Sequence, residues 1–128
     1  MRIECQDNLE FMISIEDNSI DVIYCDILYG TGRKFSDYQD LKPIKSDIEE
    51  HYIPRLKEMY RVLKDTGTIY LQMDTKINHW IRCIMDDIFG YDNMRNENNS
   101  CITYVLIVFS MTYSPSLSIC TFLFIPDS

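Results

Sequence analysis

The chain has 128 residues, 46% of them apolar and 25% charged, with a formal net charge of −8 and a pI near 4.6. That length holds one domain with its own core, and the acidic balance excludes a broad basic footprint for nucleic acid, which is bound by neutralising phosphates with Lys and Arg, so any such contact must be local. Cys5, Cys25, Cys83, Cys101 and Cys120 are widely spaced, odd in number and without a CxxC pair, so neither a disulfide framework nor a metal site is expected and reduced thiols in a cytoplasm fit best.

In chain order, Met1 to Glu10 lacks the basic and apolar regions of a signal peptide. Arg2 to Cys5 reads as a short strand, after which Asp7 or Asn8 caps a helix carrying Leu9, Phe11, Met12 and Ile15. Asp17, Asn18 and Ser19 make a turn. Ile20 to Cys25 is β-branched and aromatic without clean alternation, the signature of a strand covered on both faces. Gly30 to Asp40 is polar, with two glycines and the aromatics Phe35 and Tyr38, and reads as a mobile surface loop. Ser46 and Glu49 have the spacing of a capping box ahead of Ile48, Tyr52, Leu56, Met59, Tyr60 and Leu63, which recur at helical intervals. Pro54 inside that pattern predicts a fresh helical segment or a kink. Asp65, Thr66 and Gly67 predict the helix stop, Thr68 to Met73 a strand, and Ile77, Ile81, Ile84, Met85 and Ile88 a further helix stopping at Gly90. Strand and helix alternate as in an α/β protein with a mostly parallel sheet.

The composition breaks near Asn98. All Lys and Arg lie at or before Arg95, and from Asn99 to Pro126 no residue is charged. The division expected is residues 1–97 as the folded part and 98–128 as an apolar tail, uncharged from Asn99 to Pro126. Three readings of the tail stand side by side: an out-of-frame C-terminus, buried strands such as Ile102 to Phe109, or a membrane anchor. The last is disfavoured because Pro115 and several serines interrupt the stretch and no basic flank follows it.

The chemistry gathers where the run Ile20 to Cys25 gives out. Asp26, Ile27, Leu28 and Tyr29 stand before Gly30, Thr31 and Gly32, at the strand end where open α/β sheets bind ligands. A carboxylate, a backbone carbonyl and a flat ring together suit a nucleobase held by its face and its exocyclic amino group. That nitrogen is a poor nucleophile because its lone pair is delocalised into the ring. Hydrogen bonds to Asp26 and to the Ile27 carbonyl would draw it toward tetrahedral geometry and free the lone pair for an electrophilic methyl group. Tyr29 would stack on the base, contributing about 1–3 kcal/mol. The bland alternatives are that Asp26 caps a turn and that Asp7 is only a helix cap. His51 and His79 have no partner at metal-binding spacing. Arg33 and Lys34 are either phosphate contacts or simply solvated, and Asp74 at a strand end is read as structural before it is read as pocket wall.

Asp26-Ile27-Leu28-Tyr29 resembles the Asp-Pro-Pro-Tyr hallmark of the amino-directed DNA methyltransferases. The flanking QDNLEFMISIEDNSIDVIYCDILYGTG is similar to that family's opening segment, IPRLKEMYRVLKDTGTIYLQMD to its next helix and strand, and IMDDIFGYDNMRNE to the stretch leading toward its target-recognition region. Together these cover about Met1 to Glu97, in the permuted class whose catalytic motif lies near the N-terminus. The resemblance implies a partial Rossmann-like S-adenosylmethionine-dependent methyltransferase fold with flanking helices. It also implies methyl transfer to adenine or cytosine in DNA, with the target base flipped out, within a restriction-modification system. Asp26, Ile27 and Tyr29 take the catalytic and base-holding roles, and Asp7, with Asp26, the cofactor-binding role. Two prolines are replaced by Ile27 and Leu28, and no FxGxG-like segment for the methionine part of the cofactor occurs in the sequence. A truncated chain with little or no turnover by itself is therefore expected. The alternative is an inactive remnant or interaction module, paired with a second chain that completes the fold.

Overall fold

In the computed structural model of the chain, residues 5–28, 30–101, 104–110 and 122–124 are described. The fold is built around two parallel strands, β1 (Ile20–Asp26) and β2 (Leu63–Asp74). Their register sets Ile23 against Ile69, Tyr24 against Tyr70 and Asp26 against Gln72, so both chains emerge at the same edge of the sheet. Val22 and Ile23 are adjacent yet both buried, so both faces of β1 are covered at that point, whereas Tyr24 and Asp26 beyond it are half-buried.

On one side of this pair β4 (Tyr104–Ser110) runs antiparallel to β2, and β3 (Met94–Cys101) antiparallel to β4. On the other side the three-residue β5 (Phe122–Phe124) lies parallel to β1. The order is β3-β4-β2-β1-β5, with β4 the one strand opposed to the rest. The expected α/β architecture with a mostly parallel sheet and flanking helices is present. The boundary expected at 97/98 falls inside β3. The expected strand at Arg2 to Cys5 lies for the most part outside the described residues. Among the described residues no helix is long and apolar enough to cross a membrane.

Helix α1 (Asn8–Ile13) begins at Asp7, whose Oδ1 accepts from the Leu9 and Glu10 amides. Helix α2 (Lys45–Val62) buries Ile48, Tyr52, Leu56, Met59 and Val62, one stripe at intervals of three and four. These meet Ile23, Cys25, Ile69, Leu71 and Met73 of the sheet in a single core that also holds Met12, Ile81, Met85 and Phe109. Each fully buried aliphatic side chain there contributes roughly 1.5–3 kcal/mol relative to exposure.

Three local expectations are corrected. The Ser46–Glu49 capping box does not form: the N-cap is Ile44, without a side-chain cap, and Ser46 lies inside the first turn with its Oγ donating to Asp47. Of the two alternatives at Pro54, the fresh segment is the one overturned, because α2 runs through it; burial of the stripe on either side outweighs one missing amide. The helix ends at Val62, not at Asp65–Gly67. Leu63 is already extended and pairs with Ile20, whereas Val22 pairs with Thr68, so Lys64–Gly67 bulges out of β2. Turn chemistry there serves a bulge rather than a helix stop.

Helix α3 (Asn78–Met85) continues as a wide turn, Asp86–Gly90, and ends at Gly90 with φ +89°.

Candidate functional site

Beyond Asp26 the chain leaves the sheet through a series of anchored amides. The Ile27 amide donates to the Gln72 carbonyl at 3.0 Å, carrying the β1–β2 ladder one residue past the strand. The Leu28 amide donates to Tyr52 Oη at 3.0 Å. The Gly30 amide donates to Asp40 Oδ1 at 3.2 Å and the Thr31 amide to Asp40 Oδ2 at 2.7 Å, and the Thr31 hydroxyl joins the same oxygen. Tyr52 is 1% and Asp40 3% exposed, so both acceptors are set in the interior. Gly30 is needed where it stands: φ is +67°, and a Cβ would come within 2.5 Å of Ile77 Cγ2.

Asp26 is half-buried at the strand end. Two residues earlier, and so on the same face, Tyr24 donates its phenol to Gln72 Oε1 at 2.7 Å. Burial, followed by the charges of Asp26 and Cys25, pushes the Tyr24 phenol above its ordinary range. Ile27 is buried by its side chain. Tyr29, the residue expected to stack on a base, lies outside the described residues.

Residues 30–40, expected to be a mobile loop, are at the surface but folded as a small hairpin. Gly32 N donates to Leu41 O at 2.8 Å, Asp40 N to Arg33 O at 2.9 Å and Phe35 N to Tyr38 O at 2.9 Å, with a bridge between Lys34 and Gln39. Phe35 and Tyr38 stack at 4.8 Å on its tip, and Arg33 and Lys34 are exposed beside them. The buried Asp40 ties the base of this hairpin to the residues after the strand.

Asp7 serves as a cap and also as an ion-pair partner: its Oδ2 is 2.7 Å from Arg55 Nη2. Burial acts to raise the Asp7 carboxyl, but the hydrogen bond and charge of Arg55 and the Leu9 and Glu10 amides outweigh it and hold the group below the ordinary carboxylate range. Arg55 Nε also donates to Asn8 Oδ1 at 2.9 Å. Tyr52 and Arg55 are one turn apart on α2, so this helix supports both the Asp26 segment and the Asp7 cap. Asp74, 7% exposed, uses its Oδ1 to accept from the Lys76 amide at 2.8 Å, the structural role expected of it. Tyr52, Asp40, Gln72 and Arg55 were not singled out from the sequence. Tyr52 and Arg55 belong to an amphipathic helix whose pattern accounts for them without any site, and Asp40 and Gln72 carry no local signal.

A mostly parallel sheet with flanking helices defines the class, a partial Rossmann-like methyltransferase fold. The fold matches that of the PvuII DNA methyltransferase, described as cytosine-N4-specific, with a TM-score of 0.61 and 17% identity over 96% of this chain and 56% of that one. The family model for DNA methylases of the N6/N4 type matches residues 20–102, and the chain belongs to that family. It is 34% identical over 97 residues to the type II methyltransferase M.KpnI of Klebsiella pneumoniae, covering 68% of this chain and 23% of the relative. It is 33% identical over 89 residues to the type II methyltransferase M.HpaI of Haemophilus parainfluenzae, covering 70% of this chain and 28% of the relative. The chain thus spans about a quarter of the length of these curated relatives.

Proposed function

We propose that the chain provides the target-base half of an amino-directed DNA methyltransferase of a restriction-modification system, acting in the cytoplasm on adenine or cytosine in DNA. One observation carries this reading: Asp26 stands at the ligand edge of the central strand, followed by a backbone segment held from behind by Gln72, Tyr52 and Asp40. In this role Asp26 and the Ile27 carbonyl accept hydrogen bonds from the exocyclic amino group of a flipped base, concentrating its lone pair outward. Tyr29 stacks on the ring, which offsets part of the cost of unstacking. The residues of this proposed site all lie within residues 1–97, and β4 and β5 beyond them belong to the same sheet.

The cofactor of such an enzyme is S-adenosylmethionine, which when bound supplies an electrophilic methyl carbon. The donor set near Asp7 fits its adenine. Asn8 is 4% exposed, and its Nδ2 is buried with no hydrogen-bond partner among the described residues, a donor suited to a ring nitrogen. The adjacent Asp7 carboxylate accepts from an amino group while Arg55 fixes its orientation. Asp26 is the second residue assigned to cofactor binding.

Because the sequence has no FxGxG-like segment, these 128 residues by themselves are expected to turn over little or not at all. Calorimetry with S-adenosylmethionine tests the assignment: micromolar binding that weakens in Asp7→Ala supports a working half-site. Silence supports the rival reading, an inactive remnant or a module completed by a second chain. Radiolabelled methyl transfer into DNA above an Asp26→Ala control would overturn the expectation of inactivity.

A further inference from the structure

We propose that Tyr52 is a positioning residue that sets the direction of the Ile27 carbonyl, an inference that rests on the reading of Asp26 and Ile27 as the base-holding acceptors. The Ile27 carbonyl and the Leu28 amide belong to one peptide unit. In a planar trans peptide the C=O and N–H point in opposite directions, so fixing one fixes the other; the chain contains no cis peptide among the described residues. Tyr52 Oη lies 3.0 Å from the Leu28 amide, and its side chain is 1% exposed on the core face of α2. The Leu28 N–H therefore points toward the core helix, and the Ile27 carbonyl points away from it. A rotation of this peptide would break the bond to Tyr52 and swing the carbonyl toward the interior.

The neighbouring peptides are held in the same manner. The Ile27 amide is tied to Gln72 O, and the Gly30 and Thr31 amides to the buried carboxylate of Asp40. The segment is stiffened through its N–H groups, and proline at position 27 or 28 would delete one of these donors. The Ile27-Leu28 pair is thus a different solution from two prolines: ring constraint is replaced by hydrogen bonds to fixed acceptors, and Tyr52 is the acceptor that acts on the peptide bearing the carbonyl. The hydroxyl is specific to this task, because Phe would fill the same core space without accepting.

The test is a double-mutant cycle on the full chain with two readouts. Tyr52→Phe should raise the exchange rate of the Leu28 amide at least about tenfold, the scale of one lost hydrogen bond, while the Ile23 and Ile69 amides in the sheet keep their rates. For base binding, the probe is an end-labelled DNA duplex with one adenine, which carries the exocyclic amino group, opposite an abasic site. Tyr52→Phe should weaken its binding about tenfold in the wild-type background and leave it unchanged in Leu28→Pro, where the donor is gone. Should Leu28→Pro fail to fold, the exchange and binding of Tyr52→Phe decide by themselves. An unaltered Leu28 exchange rate, or equal probe binding by wild type and Tyr52→Phe, overturns the role assigned to Tyr52. A wild-type chain that binds the probe no better than Asp26→Asn overturns the base-site reading instead, and that failure is recognised because the Leu28 amide still responds to Tyr52→Phe.

Discussion

Arg55 and Asp7, 48 positions apart, are joined Nη2 to Oδ2 at 2.7 Å, so the second helix of the chain grips the cap of the first. The bond has a pH signature. Because the Asp7 carboxyl titrates lower in the folded chain than in the unfolded one, its stabilisation is complete above the unfolded value, about 3.9, and is lost as pH falls through the folded value. Asn keeps the cap but not the charge. Asp7→Asn is therefore expected to lower the urea unfolding free energy at neutral pH by no more than about 1 kcal/mol, since the carboxylate is 37% exposed and partly screened, and to have no effect in strong acid. Equal destabilisation at both pH values would show that charge has no part in it.

Gly30→Ala should be among the costliest single-methyl additions in the molecule. The left-handed backbone adds about 1–2 kcal/mol of strain for an L side chain, and the clash with Ile77 Cγ2 a further 1–3 kcal/mol or so of overpacking. Thermal melts should show a marked fall in midpoint. A melt within a degree of wild type would mean that the 26–31 segment accommodates freely, contrary to its anchoring by Asp40.

Arg61 closes the end of α1 against α2. Its guanidinium donates to the Met12 and Ile15 carbonyls at 2.7 and 2.9 Å and pairs with Glu58 and Asp17. Those hydrogen bonds to Glu58 and Asp17 hold the group charged well above any working pH. With hydrogen bonds to charged groups worth about 1.5–3 kcal/mol, Arg61→Ala should destabilise by that order and open the amides of α1 to exchange before those of β1. Exchange that rises uniformly over the whole chain would point to a global effect instead.

Leu56→Ala tests the core that supports the site. Leu56 is 1% exposed between α2 and the sheet, and its truncation should cost about 2–5 kcal/mol, a large share of a typical domain stability of roughly 5–15 kcal/mol. A loss below about 1 kcal/mol in denaturant titration would mean that α2 is not packed as described.

Elements that bury an uninterrupted apolar pattern were legible along the chain. The run Ile20 to Cys25 announced a two-sided strand, and Ile48, Tyr52, Leu56 and Met59 announced a helix, because burial of one stripe or of both faces dominates their energy. Asp26 and Asp7 stood out as candidates because each sits at an element's end, where a short polar side chain has a recognisable task. Local signals weaker than tertiary packing were misleading. The Ser46–Glu49 pair is a cap only if the helix starts there, and Asp65-Thr66-Gly67 is a stop only if no strand partner captures Leu63.

What the sequence by itself determined is the succession of helices and strands from α1 to α3 and the presence of a carboxylate at the lip of β1, since both follow from periodicity and from residues adjacent along the chain; β3 and β5 were not expected from it. The tertiary structure alone decided which distant groups hold that lip. Tyr52, Asp40 and Gln72 reach it across 24, 10 and 45 positions, and Arg55 reaches Asp7 across 48. Hydrogen-bond partnership at 3 Å depends on how the helix docks on the sheet, and no spacing within the chain encodes that docking.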